Sequence, residues 1–348
     1  MMRTMEVEII NPLEYPGWDD LLLSQHDHSI FHTTHWARIL HESYGYTPLY
    51  FTLFHDGALS ALIPVMEVNS WITGRRAVSL PFTDYCEPIM TENGIFPELM
   101  EALLSQGRKS KWKSIELRPM NALPSQYLPA SVYFGHALDI SRSEDDIFGN
   151  LRDSTKRNIK KAKKEGVEVT FSDSMDSLTQ FCRLNCITRK DHGLPPQPAV
   201  FFKKIHEHIL SNGLGTVALA KHQGKYIAGA VYFHFSDQAF YKYGASDKAY
   251  QNFRANNLIM WEAIRLYRNK GYAGFQFGRT EPQNEGLRQF KAGWGAREYP
   301  IHYYKYDLRQ NAFVKGAMKL TGIHNRIFTM MPLPLLKISG SMLYKHMG

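Results

Sequence analysis

The 348-residue chain is poor in cysteine. Its three, Cys86, Cys182 and Cys186, are an odd and sparse set. Such a set is no disulfide framework, and no second Cys/His pair completes a zinc pattern, so buried reduced thiols are expected. No run of about 18 apolar residues occurs, so no helical membrane span is expected. The opening stretch MMRTMEVEIINPLEYPGWDD holds no long apolar core, so no signal peptide is expected and the default compartment is the cytoplasm. Gly-x-Ser-x-Gly, a Walker loop and His-Glu-x-x-His are all missing. The 15 histidines are scattered. Neither His26 and His28 nor His206 and His208 has a third ligand beside it, so no metal site is expected. No heptad run appears, which leaves no coiled-coil arm.

The composition that remains is that of a globular protein, with 44% hydrophobic and 21% charged residues. The length allows two or three domains. The formal charge of +8 suits a polyanionic partner such as RNA, a diphosphate lipid or an acidic membrane surface, without choosing among them.

One order of elements occurs twice. Residues 48–68, PLYFTLFHDGALSALIPVMEV, read as strand, Asp-Gly turn, strand. An amphipathic helix (96–109) and the strand SIELRP (114–119) follow. Residues 215–235, GTVALAKHQGKYIAGAVYFHF, repeat the hairpin around Gln-Gly, with His55-Asp56-Gly57 aligned on His222-Gln223-Gly224 and Ala61 on Ala228. The helix NNLIMWEAIRLYRNKGY (256–272) and the strand GFQFGRT (274–280) complete the second copy, and Arg279 matches Arg118. The chain therefore reads as a duplicated mixed α/β unit. The expected division is 1–149, 150–310 and a tail, 311–348.

Between the copies lies a basic helix, 152–164, carrying Arg152, Lys156, Arg157, Lys160 and Lys161. It is either a solvated linker helix or a set of phosphate contacts to RNA or to a diphosphate. The end of the tail, 325–348, is apolar and basic, broken by Pro332 and Pro334. It either packs on the second domain or lies on a membrane, with Leu333, Leu335, Leu336, Ile338 and Leu343 inserted and Arg326, Lys337 and Lys345 near headgroups.

Two stretches carry candidate chemistry. In QAFYKYGASDKAYQNFRANNLIMWEAI (238–264) an aromatic strand runs through a polar loop into a helix start at Asn256, a setting suited to an anionic or carbonyl oxygen. Acyl-CoA-dependent acetyltransferases of the GNAT fold use such a loop for a pyrophosphate. QNFRAN keeps Gln251 and Arg254 of their pattern but lacks its glycines. Plain capping by Asn256 and core packing by Tyr241 and Tyr243 are the alternative. In FGRTEPQNEGLRQFKAGWGA (277–296), Arg279 ends a strand, Asn284 can cap a short helix and Lys291 closes it. That ammonium either sits over a developing oxyanion or simply satisfies the helix dipole.

Together, STKRNIKKAKKEGVEV, TRKDHGLPPQP, FYKYGAS, NLIMWEAI and the 277–296 block resemble the Fem family of tRNA-dependent aminoacyltransferases that build peptidoglycan cross-bridges. The likeness covers about residues 25–310 and is most specific from 240 to 296. It implies a mixed α/β chain of two tandem GNAT-like N-acyltransferase domains, each a mixed sheet flanked by helices. It implies aminoacyl-tRNA as donor, no bound cofactor, and a lipid-linked or UDP-linked peptidoglycan precursor as acceptor, at the inner face of the plasma membrane. The family's Phe-Lys-x-Gly-Phe motif matches Phe290-Lys291-Ala292-Gly293-Trp294, which gives Lys291 the aminoacyl end and the tetrahedral intermediate, with Tyr241, Lys242 and Tyr243 lining the channel. Arg38 stands near a family lysine that binds the acceptor's diphosphate, Arg189 is a second anion contact, and Asp84 matches an aspartate considered as a base. Acyl-CoA-dependent acylation of an envelope or exopolysaccharide sugar, and a non-catalytic role in envelope assembly, are the competing readings.

Overall fold

A computed structural model describes residues 6–91, 94–316 and 323–348. The chain divides into two compact units, Met1–Tyr133 with Pro300–Met318 and Leu343–Gly348, and Phe134–Tyr299 with Lys319–Met342. The first unit opens with β1 (Glu8–Ile10), α1 (Trp18–Leu23), α2 (Thr34–Tyr44), β2 (Thr47–His55), β3 (Ala58–Ser70), β4 (Gly74–Val78), β5 (Ile89–Met90), α3 (Phe96–Lys109) and β6 (Ser114–Leu117). The second runs through β7 (Ser131–Asp139), α4 (Glu144–Gly149), α5 (Asp153–Lys164), β8 (Glu168–Ser172), α6 (Met175–Asp191), α7 (Ala199–His208), β9 (Gly215–His222), β10 (Lys225–Phe235), β11 (Gln238–Ser246), α8 (Ala255–Asn269), β12 (Gly274–Gln276) and α9 (Glu285–Ala292). β13 (Arg297–Asp307) and β14 (Ala312–Phe313) then precede α10 (Ile323–Met330) and α11 (Leu333–Met347).

The repeat seen in the sequence is a repeat of topology. In the first unit the strands lie in the order β1-β2-β3-β4-β6, and in the second β8-β9-β10-β11-β12. The last pair of each set, β4 with β6 and β11 with β12, is parallel, and every other pair is antiparallel. Two helices follow the first strand of each set and one precedes the last. Both hairpins turn on two residues with positive φ, Asp56 (49°) with Gly57 (80°) and Gln223 (47°) with Gly224 (79°). Two such residues make a tight turn whose twist matches that of the strands. Each hairpin then takes up one extra residue three positions beyond the turn glycine, Ser60 in β3 and Ile227 in β10. The shared bulge explains why Ala61 and Ala228 fall at the same offset.

The domain boundaries differ from those expected. β7 pairs with β12 through 137–139 and 274–276, so the second unit begins before residue 149. β13 pairs with β6 through Tyr304↔Leu117 and its neighbours, so 300–318 return to the first unit. Long-range pairing decides both, and local pattern carries no trace of it.

Each unit has its own core. Trp112, Ile115, Leu117, Leu99 and Leu103 fill the first, where α3 covers the sheet, together with Tyr304. Trp261, Tyr232, Tyr267, Phe275 and Trp294 fill the second, where α8 and α5 cover it. α5 buries Thr155, Ile159 and Ala162, one stripe at helical spacing, and turns its basic side outward.

The tail is two helices. Leu333 and Pro334 open α11, where proline is tolerated because the first-turn N–H groups have no helical acceptor. The apolar set expected to insert as one face is split. Leu336 is fully buried, whereas Leu335 and Ile338 are more than half exposed. Beyond Met342 the helix is tied into the first unit, where the Tyr46 hydroxyl donates to the carbonyls of Tyr344 and Lys345 and Arg76 donates to that of His346 at 2.9 Å.

Candidate functional site

The site is built where β11 and β12 part. They pair only through 238–240 and 274–276, so the rest of β11 and the 277–284 segment after β12 continue unpaired with each other. A bulge sits in β11 at this point. Val231 faces Tyr243 and Tyr232 faces Tyr241, which leaves Lys242 as the extra residue. The bulge separates the two tyrosines. Tyr241 packs on Tyr232, on the side covered by α8, whereas Tyr243 packs on Phe201, Phe202 and Phe233, on the side covered by α7. Tyr241, Lys242 and Tyr243 therefore do not line one wall, as was expected. An extra residue reverses the alternation of side chains, and no residue type announces it. Burial pushes the Tyr241 hydroxyl up to about 12, so it stays protonated. That hydroxyl lies where a Cβ on residue 244 would be, 1.7 Å from the ideal position, so only glycine fits at Gly244.

The loop into α8 makes the cleft. Arg254 precedes the helix in a left-handed conformation (φ 59°), and no side chain caps the helix start. Asn256 therefore does not cap it. Its amide instead donates to the Ser246 hydroxyl at 3.2 Å. Asp247, Gln251, Arg254, Asn256 and Phe290 surround a cleft of about 160 Å³ at the helix N-terminus. Exposed Arg254 and the helix dipole give this cleft a positive character.

α9 forms the opposite wall. Asn284 caps it as expected, its side chain accepting from the Leu287 N–H. Phe290 stacks edge-on against buried Trp294, at 6.0 Å. Lys291 is 3% exposed, and its ammonium donates to the carbonyls of Gly278 (2.8 Å) and Arg279 (3.2 Å). The sequence suggested an ammonium either over a developing oxyanion or satisfying the helix dipole. The structure holds a buried one that fixes the segment after β12, with Arg279 contributing its backbone. Gly293 lets α5 approach, since a Cβ there would meet the Thr155 hydroxyl at 3.0 Å while the Arg152 N–H donates to its carbonyl. Gly295 makes the turn with φ 74°.

The group that acts on Lys291 electrostatically has no signature in the sequence. His136 on β7 is wholly buried, with Nε2 3.1 Å from a Glu298 carboxylate oxygen that Arg288 also holds. Among the described residues Nδ1 of His136, Oγ1 of Thr280 and Nε1 of Trp294 have no hydrogen-bond partner. Burial pushes the His136 imidazole down to about 4, and the Lys291 charge adds to that, so the ring is neutral near pH 7.

None of the remaining candidates lines this cleft. Arg189, on α6, donates to the Pro195 carbonyl at 3.2 Å and braces that loop. Arg38 is exposed on α2, and Asp84 accepts the Tyr303 hydroxyl on its backbone carbonyl at 2.8 Å; both belong to the first unit. On α5, Arg152, Arg157, Lys160 and Lys161 are exposed, whereas Lys156 folds back to the Gly149 carbonyl at 2.8 Å.

Residues 149–299 match the acetyltransferase (GNAT) domain family. A solved structure described as a tandem GNAT protein from the clavulanic acid biosynthesis pathway superimposes with a TM-score of 0.56, at 9% identity, over 88% of this chain and 99% of that one. The chain is a tandem GNAT-fold protein. The crystal structure of FemX superimposes with a TM-score of 0.66, at 16% identity, over 88% of this chain and 98% of that one. A lipid II:glycine glycyltransferase of Staphylococcus haemolyticus is 32% identical over 99 residues, 26% of this chain and 24% of the relative. The chain thus resembles Fem-family proteins in sequence and in fold, as its 240–296 block suggested. It spans about a quarter of the length of the staphylococcal relatives it matches. No helix among the described residues is long and apolar enough to cross a membrane.

Proposed function

We propose that this tandem GNAT-fold protein transfers an aminoacyl group from aminoacyl-tRNA to an amine of a lipid-linked or UDP-linked peptidoglycan precursor, at the cytoplasmic face of the membrane. The observation that carries the reading is the placing of Phe290 and Lys291. Phe290 lines the cleft at the start of α8, and the next residue holds a buried positive charge on the segment that follows β12. The likeness to lipid II:glycine glycyltransferases supports an aminoacyl group as the group transferred and a lipid-linked precursor as acceptor.

In this reading the terminal ribose and phosphates of the donor meet Arg254, Asn256 and the α8 N-terminus. The neutral acceptor amine attacks the ester carbonyl, forming the new N–C bond. The C–O bond to the ribose then breaks, and the proton lost by nitrogen ends on the departing ribose oxygen. The Lys291 charge, fixed by two carbonyls, stabilises the oxyanion between these steps without moving during the reaction. Lys242 and Arg279, on the parted strands, contact the substrates in this reading. The exposed basic side of α5 contacts donor phosphates, and Arg189, Arg38 and Asp84 serve the acceptor.

A second reading rests on the acetyltransferase (GNAT) match over 149–299, in which the same cleft takes the pyrophosphate of an acyl-CoA. One assay separates the two. The full chain is incubated with an amine-bearing UDP-linked muropeptide or its lipid-linked counterpart and either charged tRNA or acyl-CoA, and the product is weighed by mass spectrometry. The aminoacylated product is expected with charged tRNA alone. Acylation with acyl-CoA alone replaces the first reading by the second, and no product with either rejects both.

A further inference from the structure

A second cavity, far larger than the cleft and sharing no lining residue with it, lies in the second unit. It holds about 700 Å³, within the range of small-molecule sites. α6 forms its floor with Leu178, Cys182 and Cys186, the start of α7 forms one side, and Ile338 and Met342 of α11 form the other. The α11 wall is fixed by close contact, since a Cβ on Gly340 would lie 2.1 Å from the Pro196 carbonyl oxygen. The floor carries no charge, because burial pushes the Cys182 thiol up to about 12.

Its rim is cationic. Arg183, Lys203 and Lys337 all line it and are all exposed. Arg183 donates to Gln180 at 3.2 Å, and among the described residues none of the three has an acidic partner. An apolar floor under unpaired cations is the complement of a hydrocarbon chain ending in a phosphate. A soluble apolar ligand would leave these cations unused, and a bare anion would leave the floor wet. At the mouth, Ile338 and Met342 are 56% and 64% exposed, and elsewhere on the two tail helices Leu335 and Met330 are 54% and 83% exposed. Such a rim suits shallow entry into the boundary between headgroups and acyl chains.

We propose that the groove between α6, the start of α7 and α11 takes one acyl chain of an anionic membrane phospholipid, with its phosphate held by Arg183, Lys203 and Lys337. This narrows the membrane-facing reading of 325–348 to one groove and does not depend on the transfer reaction.

The test uses the full chain and two probes. The first is sedimentation with vesicles of phosphatidylglycerol in phosphatidylcholine, against phosphatidylcholine alone. The second is thermal shift with a short-chain phosphatidylglycerol below its micelle concentration. The intact chain should bind the anionic vesicles and be stabilised by the soluble lipid. The double variant Lys203→Glu, Lys337→Glu should bind the anionic vesicles at least about tenfold more weakly, since each basic side chain at such a surface contributes measurably. Ser341→Trp, which fills the mouth from an exposed position, should abolish the shift by the soluble lipid. Vesicle binding that ignores all three substitutions, with no shift by the soluble lipid, overturns the groove but keeps a tail lying on the membrane. Absence of vesicle binding by the intact chain overturns both. Transfer to the water-soluble UDP-linked acceptor, measured in every variant, reports on the transfer reading separately and should not change.

Discussion

The two units share one strand order but differ at the helix that precedes the last shared strand. In the first unit Ile95 and Phe96 stand at the start of α3, both nearly buried, and fill the space before the helix. In the second unit Arg254 and Asn256 stand at the start of α8, both exposed, and a cleft opens before it. The strand before each helix differs as well. β4 has five residues and an unbroken register with β3, whereas β11 has nine and a bulge at Lys242. The same fold thus carries an open cleft at this helix start in one copy and a filled one in the other. An open helix N-terminus is useful only where an oxygen-rich group arrives. At the start of α3 the Glu98 and Leu99 N–H groups are instead turned to the Ile95 carbonyl.

The sharpest way to break that comparison is at Lys291. Lys291→Met keeps the aliphatic stem and removes the charge. Turnover should fall roughly 10²–10³-fold, the scale for losing one oxyanion donor. Some stability should go too, because two backbone carbonyls lose their donor. The comparison in the first unit is Arg118, the residue aligned with Arg279, which pairs with Glu116 at 2.7 Å and donates to the Leu80 carbonyl. Arg118→Met should cost about 1–3 kcal/mol of stability and leave turnover of the folded fraction nearly intact. Steady-state rates beside urea unfolding read both. Equal loss of turnover in the two variants would mean that the first unit is not closed to chemistry.

Acid should weaken both units in part through a buried histidine in each, and in the second unit His234 is also pushed down by burial. His32 in the first unit is pushed down to about 4 by burial, as is His136 in the second. Near pH 7 both are neutral, folded or unfolded. As pH falls below about 6.5 the unfolded chain takes up protons that the folded chain refuses, so stability falls progressively until about pH 4. For His32 the loss is on the order of 3 kcal/mol across that window. His136→Phe should flatten the acid limb of the second unit and leave that of the first, as followed by hydrogen exchange. An unchanged pH profile in this variant would show that another group governs acid sensitivity.

How much of this the sequence could announce depended on the range of the interaction. Tight turns are local, so Asp56-Gly57 and Gln223-Gly224 were readable, and with them the duplication. Asn284 was readable as a cap for the same reason. The separation of Tyr241 from Tyr243 was not, because a bulge is decided by the partner strand. Nor was the burial of Lys291, whose acceptors are backbone carbonyls that every residue carries. His136 was beyond reach, since a lone histidine in a strand looks the same whether it faces water or a lysine.

The β11 bulge gives a further test of the difference between the copies. Gly244→Ala places a methyl group against the Tyr241 hydroxyl and should cost about 1–3 kcal/mol by overpacking. Tyr241→Phe removes that hydroxyl and should return part of the loss in the double variant, because the ring carbon beneath it is still only 2.7 Å away. A purely additive double variant would place the strain elsewhere.

The smallest effect tests what the two copies share. Gly57 and Gly224 occupy the same left-handed corner, with φ of 80° and 79° and open space around each. Alanine at either should therefore cost only the backbone term, about 1 kcal/mol, with no steric contribution to distinguish them. The bulges that follow, at Ser60 and Ile227, keep each hairpin in register, so neither strand should slip to relieve the strain. Urea midpoints of Gly57→Ala and Gly224→Ala, each read by a probe in its own unit, should shift by similar free energies. A clearly larger cost in the second unit would mean that its turn is coupled to the cleft, because Ile227 and Ala228 line that cleft just beyond the turn.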